Sequence, residues 1–195
     1  MNTTVAFAAQ ATAILMGFFT RVIFTRMLSE GYVGINGLFT DILNILSLSE
    51  LGVGTAITYA LYTPIARGDI QKQQILMRMF RTFYRITAGF VLTAGLCLIP
   101  FLDILMKDRP DVDHLIWIYL LYLLNSVVSY LLIYKKTLID AHQMNYVTVL
   151  YHNGFLVIQD LLQIAILLIT GNFILFLLAA VICTITGNIC MSRRA

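Results

Sequence analysis

With 195 residues, 59% of them hydrophobic and only 12% charged, the chain has a mean hydropathy of +0.85. A soluble domain carries roughly 25% charged residues; half that content in long apolar runs points to a bilayer and excludes a soluble core. The net charge of +3 is too small to suggest nucleic acid as a partner, so the positions of the charges matter more than their sum.

Six spans are expected, at about residues 4–25, 38–62, 83–105, 115–134, 146–169 and 173–191. Helices are the default, because an apolar run of this length must satisfy its own backbone in lipid. The fold class predicted is therefore all-α integral membrane, a single six-transmembrane-helix bundle over residues 1–195. In the first span Gln10, Ile14, Gly17, Arg21 and Thr25 share one helical face. The fork of Arg21 suits a phosphate or another anionic group; the structural alternatives are an ion pair with Asp41 or Glu50, or snorkelling to the interface. Arg26, nearer the helix end, reads as a snorkelling residue.

The second span organises the rest. It is long enough to cross, yet it contains Asp41, Asn44, Ser47, Ser49 and Glu50, followed by Gly52 and Gly54. A carboxylate at membrane depth costs at least ~2.5 kcal/mol on insertion scales. Asp41, Asn44, Ser47 and Glu50 recur every third residue, so their stripe winds about the helix and suits several polar neighbours. Glu50 is a candidate for proton or cation coupling; its structural alternative is a carboxylate paired within the bundle.

Before the third span, residues 70–85 form an amphipathic lead-in. Ile75, Leu76, Met79, Phe80 and Phe83 make one face, and Arg78, Arg81 and Arg85 another. That basic face suits anionic lipid head groups, or a vestibule attracting a phosphate-bearing lipid. Asn125, Ser126 and Ser129 in the fourth span read as helix-packing residues. The fifth span holds His152, Asn153, Gln159, Asp160 and Gln163, of which His152, Gln159 and Gln163 fall close together on a helical wheel. Cavity lining and interhelical hydrogen bonding are the rival readings of that stripe. A single histidine without a neighbouring acid or cysteine makes no metal site. Cys97, Cys183 and Cys190 lie in apolar runs and read as small hydrophobes.

Positive charge sets the orientation. Arg67, Lys72, Arg78, Arg81 and Arg85 follow the second span, Lys135 and Lys136 follow the fourth, and Arg193 and Arg194 come last. The loop after the third span has Asp103, Asp108, Asp111 and Asp113 against Lys107 and Arg109. Both termini are expected on the cytoplasmic side. No nucleophile, paired-acid or phosphate-loop motif is present, so no enzymatic chemistry and no cofactor are expected.

The run from Arg21 to Asp69, above all LSELGVGTAI at residues 48–57, resembles the start of Wzx-type oligosaccharide flippases of Gram-positive gut bacteria. The likeness continues through PFLDIL, LLNSVVSYLLIYKKTLIDAHQ, NYVTVLYHNGF and GNFILFLLAAVICTITGNICMSRRA, and so covers nearly the whole chain. These proteins belong to the MATE-like multidrug, oligosaccharidyl-lipid and polysaccharide exporter superfamily. The resemblance implies movement of undecaprenyl-pyrophosphate-linked oligosaccharide across a bacterial cytoplasmic membrane by alternating access. Arg21, and less surely Arg26, match cationic cavity positions of the first span; Glu50 receives no role, and H⁺ or Na⁺ coupling stays open. Only Met1-Asn2-Thr3 stands where the family has a basic stretch. Alternating access rocks one bundle against another, so the resemblance makes these residues the N-terminal half and implies a second bundle, continuous, separate or a second copy. A cation-coupled drug antiporter on the same fold, and a membrane scaffold holding polysaccharide-assembly enzymes, are the rival functions.

Overall fold

The computed structural model describes residues 2–47, 53–106, 112, 114–131 and 133–194, with the side chains of 2, 3, 5, 6, 47, 103, 133 and 194 excepted. In chain order the helices are α1 (Asn2–Met27), α2 (Glu30–Ser47), α3 (Val53–Ala66), α4 (Ile70–Leu98), a 3-10 turn (Ile99–Phe101), α5 (Leu102–Leu105), α6 (Leu115–Leu131), α7 (Ile133–Ala141), α8 (Asn145–Thr170) and α9 (Phe173–Arg194). Local chemistry sets several ends. Asp69 caps α4 by accepting from the Lys72 amide at 3.0 Å. Gly171, at φ 60°, closes α8 in the left-handed conformation, its N–H donating to the Leu167 carbonyl at 3.0 Å. Asn172 then starts α9, its Oδ1 accepting from the amides of Ile174 and Leu175 at 2.9 and 3.3 Å.

The protein is an all-α membrane protein. Among the described residues, four helical stretches are long and apolar enough to cross a bilayer: Phe7–Met27, Ile70–Phe101, Asn145–Thr170 and Phe173–Arg193. Leu115–Leu131 with Tyr134–Ala141, bent by 41°, makes a fifth. Their outer surfaces are what lipid requires: Phe7 and Ile169 are each at least three-quarters exposed.

The count is thus four or five, against six expected. The discrepancy lies at residues 38–62, which are shared between α2 and α3; residues 48–52, including Ser49, Glu50 and Gly52, lie outside the described residues. The amphipathic lead-in at residues 70–85 is helical and continuous with the third span in α4, whose 29 residues extend about 43 Å at 1.5 Å each, beyond a hydrocarbon core of about 30 Å. One further expectation is corrected. Lys135 and Lys136, expected in a loop, lie on α7. Lys135 Nζ donates to the Ser192 carbonyl at 3.0 Å, a cation at the end of α9 where the helix dipole favours one.

Contacts along the helices fix their relative directions. α1 packs along α8 in parallel: Gln10 meets Asn153, and seven residues on, Gly17 meets Asp160. α8 and α9 are antiparallel, with Phe155 against Gly187 and Gln163 against the Phe176 carbonyl. α4 runs against α6 and α7, pairing Gly95 with Tyr119 and Leu123 at one level, and Met77 with Tyr134 and Leu138 at another. α3 runs against α4, pairing Gly54 with Tyr84 and the Pro64 carbonyl with Gln73.

The bundle therefore has two ends. Tyr32, near the start of α2, shares a pocket with His114, Ile118, Gly171 and Phe173. An aromatic cluster ties this end together: Phe24 lies 5.6 and 5.4 Å from Phe173 and Phe176, and Tyr32 lies 5.2 Å from Phe173. Such pairs contribute about 0.5–1.5 kcal/mol each beyond area burial. Pro64, near the end of α3, sits at the opposite end with the start of α4. Most threonine hydroxyls in the long helices, such as Thr87, Thr93 and Thr186, donate to the carbonyl four residues back. Their polarity is absorbed within their own helix.

Candidate functional site

Two sets of polar side chains remain to be placed on the helices. The first is on the surface of α1 and α2. Arg21 is exposed six residues before the end of α1 at Met27, a depth of about 9 Å. Its Cζ lies 5.6 Å from the centre of the Phe24 ring, a cation–π arrangement. Arg21 is also close enough to Tyr122 of α6 for an electrostatic interaction, and the Tyr122 hydroxyl donates to Asn36 Oδ1 of α2. Asp41 and Asn44 are exposed on α2, with Asp41 eleven residues, or about 16 Å, from its start. Among the described residues no ion pair joins Arg21 to Asp41. α1 lies along α8 and touches α2 sparingly, so these groups flank an open side of the bundle.

The second set lines a cavity of about 300 Å³ enclosed by α6, α7, α8 and α9. Asn125, Ser126 and Ser129 come from α6, Lys136 from α7, His152 and Gln159 from α8, and Thr184 and Asn188 from α9. Gly187 lets α9 approach Phe155 of α8 at one wall of this space; a Cβ there would stand 3.1 Å from Phe155 Cγ. Ser129 Oγ donates to the Ser126 carbonyl at 2.6 Å, and Asn188 Nδ2 to the Val128 carbonyl at 3.3 Å. Asn125 Oδ1 is buried and has no hydrogen-bond donor. No carboxylate lines the cavity.

The residues anticipated from sequence divide accordingly. His152 and Gln159 line the cavity, while Gln163 is buried and spends its amide on the Phe176 carbonyl at 3.2 Å. Gln10 accepts from Asn153 Nδ2 at 2.9 Å and is a structural link between α1 and α8. Asp160, on the same seam, lies within reach of Thr20, whose hydroxyl donates to the Met16 carbonyl at 3.0 Å. Arg26 is exposed in the last turn of α1, and Arg78, Arg81 and Arg85 are exposed on α4; they are not among the residues that line the cavity. Glu50 lies outside the described residues. The structure thus does not gather the anticipated residues into one site. Asn125, Ser126 and Ser129, read from sequence as packing groups, instead face the cavity. Their spacing on one side of α6 was the available signal. Among the described residues no group of three or more histidine, cysteine or acidic side chains could hold a metal ion.

No protein-family model, no curated protein and no solved structure matches the chain.

Proposed function

We propose that the chain is one six-crossing bundle of a flippase that moves lipid-linked, undecaprenyl-pyrophosphate-type oligosaccharide across a bacterial cytoplasmic membrane. The observation that carries the reading is the exposure of Arg21, within the span Phe7–Met27, and of Asp41 and Asn44 on α2, the helix proposed as the next crossing. Lipid does not tolerate such a surface at ~2.5–3.5 kcal/mol per central charge. A polar passage shared with a second bundle does, and there the Arg21 guanidinium is suited to a pyrophosphate.

The course of the chain supports six crossings. α2 starts at the Tyr32 end and α3 finishes at the Pro64 end, so residues 30–66 traverse the bundle. Parallel α1 and α8 support the same count, because parallel helices require an odd number of crossings between them. With α4 and the α6–α7 pair that number is odd only if residues 30–66 are included. The Pro64 end carries Arg67, Lys72, Lys135, Lys136 and Arg193, which favours a cytoplasmic assignment for it and for both termini.

The test is photocrosslinking in native membranes. Asn44→p-benzoylphenylalanine is expected to capture radiolabelled lipid-linked oligosaccharide or a neighbouring protein bundle. The lipid-facing control, Ile158→p-benzoylphenylalanine, is expected to capture phospholipid alone. Identical phospholipid adducts from both positions contradict the proposal.

A further inference from the structure

We infer that the cavity among α6–α9 is a subsite for one uncharged sugar ring. For the source of that sugar, the inference rests on the flippase reading. The argument is one of chemistry and size. Three carboxamides, from Asn125, Gln159 and Asn188, and the hydroxyls of Ser126 and Thr184 converge on the space, with Phe155 forming an apolar wall. Amides both donate and accept, as a ring of vicinal hydroxyls does, and an aromatic face suits the C–H side of a pyranose. No carboxylate is present to hold a cation. At about 300 Å³ the cavity is at the small end of ligand sites, a size that suits a single ring.

Asn125 Oδ1 points to the ligand more sharply. It is a buried acceptor without a donor in a membrane-spanning helix, a situation that is costly wherever water is excluded. A sugar hydroxyl satisfies it. Lys136 also lines the cavity, from the helix that lies towards the Pro64 end. A ring seated here therefore has a cation available for a phosphate attached on that side.

The experiment is saturation-transfer NMR on the full chain in lipid nanodiscs, with N-acetylglucosamine, methyl α-glucoside, methyl α-galactoside and rhamnose as probes and mannitol as an acyclic control. At least one pyranose is expected to receive saturation, and mannitol none. Gly187→Leu, which fills the cavity, is expected to reduce the transfer at least fivefold. Asn125→Leu, close to isosteric and free of the packing conflict at Phe155, does the same if the acceptor is used. Undiminished transfer in a folded Asn125→Leu protein overturns the inference, as does silence from all four pyranoses, which leaves the cavity to water. Export of lipid-linked oligosaccharide by cells carrying the same variants separates the two claims. Normal export without pyranose binding removes the subsite and spares the flippase. Pyranose binding in a chain whose loss leaves export untouched removes the flippase and spares the subsite.

Discussion

Gly95 is the position where the packing is most exacting. Its carbonyl accepts the Tyr119 hydroxyl at 2.8 Å, drawing α4 and α6 together. A Cβ there would stand 2.4 Å from Leu123 Cδ1, 3.0 Å from Cδ2 and 3.2 Å from Cγ, and Leu123 is 1% exposed. Gly95→Ala therefore meets an overpacking cost of about 1–3 kcal/mol. Helix propensity returns about 1 kcal/mol, so the net effect is a loss of up to about 2 kcal/mol. In a Leu123→Ala background the obstructing atoms are gone, and the same substitution is expected to stabilise by up to about 1 kcal/mol. The assay is reversible unfolding in mixed micelles or bicelles for wild type, both single variants and the double variant. A change of sign between the two backgrounds is the expected signature. Gly95→Ala stabilising both backgrounds alike would refute the close approach of α4 and α6.

The α1–α8 seam makes a second prediction. A double-mutant cycle of Gln10→Ala and Asn153→Ala is expected to give a coupling of about 0.6–1.7 kcal/mol, the range of interhelical hydrogen bonds in membranes; additive effects would argue against the 2.9 Å bond. Gln143 holds φ 60° in the turn between α7 and α8, which is strained for a side-chain-bearing residue. Gln143→Gly is expected to raise the unfolding free energy by about 0.5–1 kcal/mol, and a decrease would contradict that backbone conformation. For the path of residues 30–66, single cysteines at Gly31 and Gly68 in a cysteine-free background are expected to react with an impermeant maleimide from opposite faces of the membrane. Labelling from one face would remove the six-crossing reading.

The long helices were legible because their signals are local. α8 and α9 are two apolar runs parted by Gly171-Asn172, a left-handed residue followed by a capping side chain, and both effects act within a few residues. Residues 38–62 show the opposite case. Apolarity suggests one span, while the described helices on its two sides, α2 and α3, are not each long and apolar enough to cross. The site was less legible than the fold, because a helical wheel gives the angle of a side chain and not the neighbour it meets. Gln163 shares an angle with His152 and Gln159, yet the backbone of α9 lies within its reach. Asn125, Ser126 and Ser129 have the spacing of a packing face, and only the placement of α8 and α9 opposite turns that face into a cavity wall. Thr20 and Asp160 meet across 140 positions of sequence, a pairing no local period announces.

The central claim concerns which leaflet holds the lipid-linked oligosaccharide. The direct measurement is to deplete the protein in a strain without a redundant flippase. The lipid-linked sugar is then labelled with a membrane-impermeant reagent, in cells stripped to expose the outer leaflet and in inside-out vesicles from them. Depletion is expected to move the label to the vesicles and to reduce surface polysaccharide, and Arg21→Ala is expected to do so partially. An outer-leaflet pool that is unchanged on depletion would contradict the account.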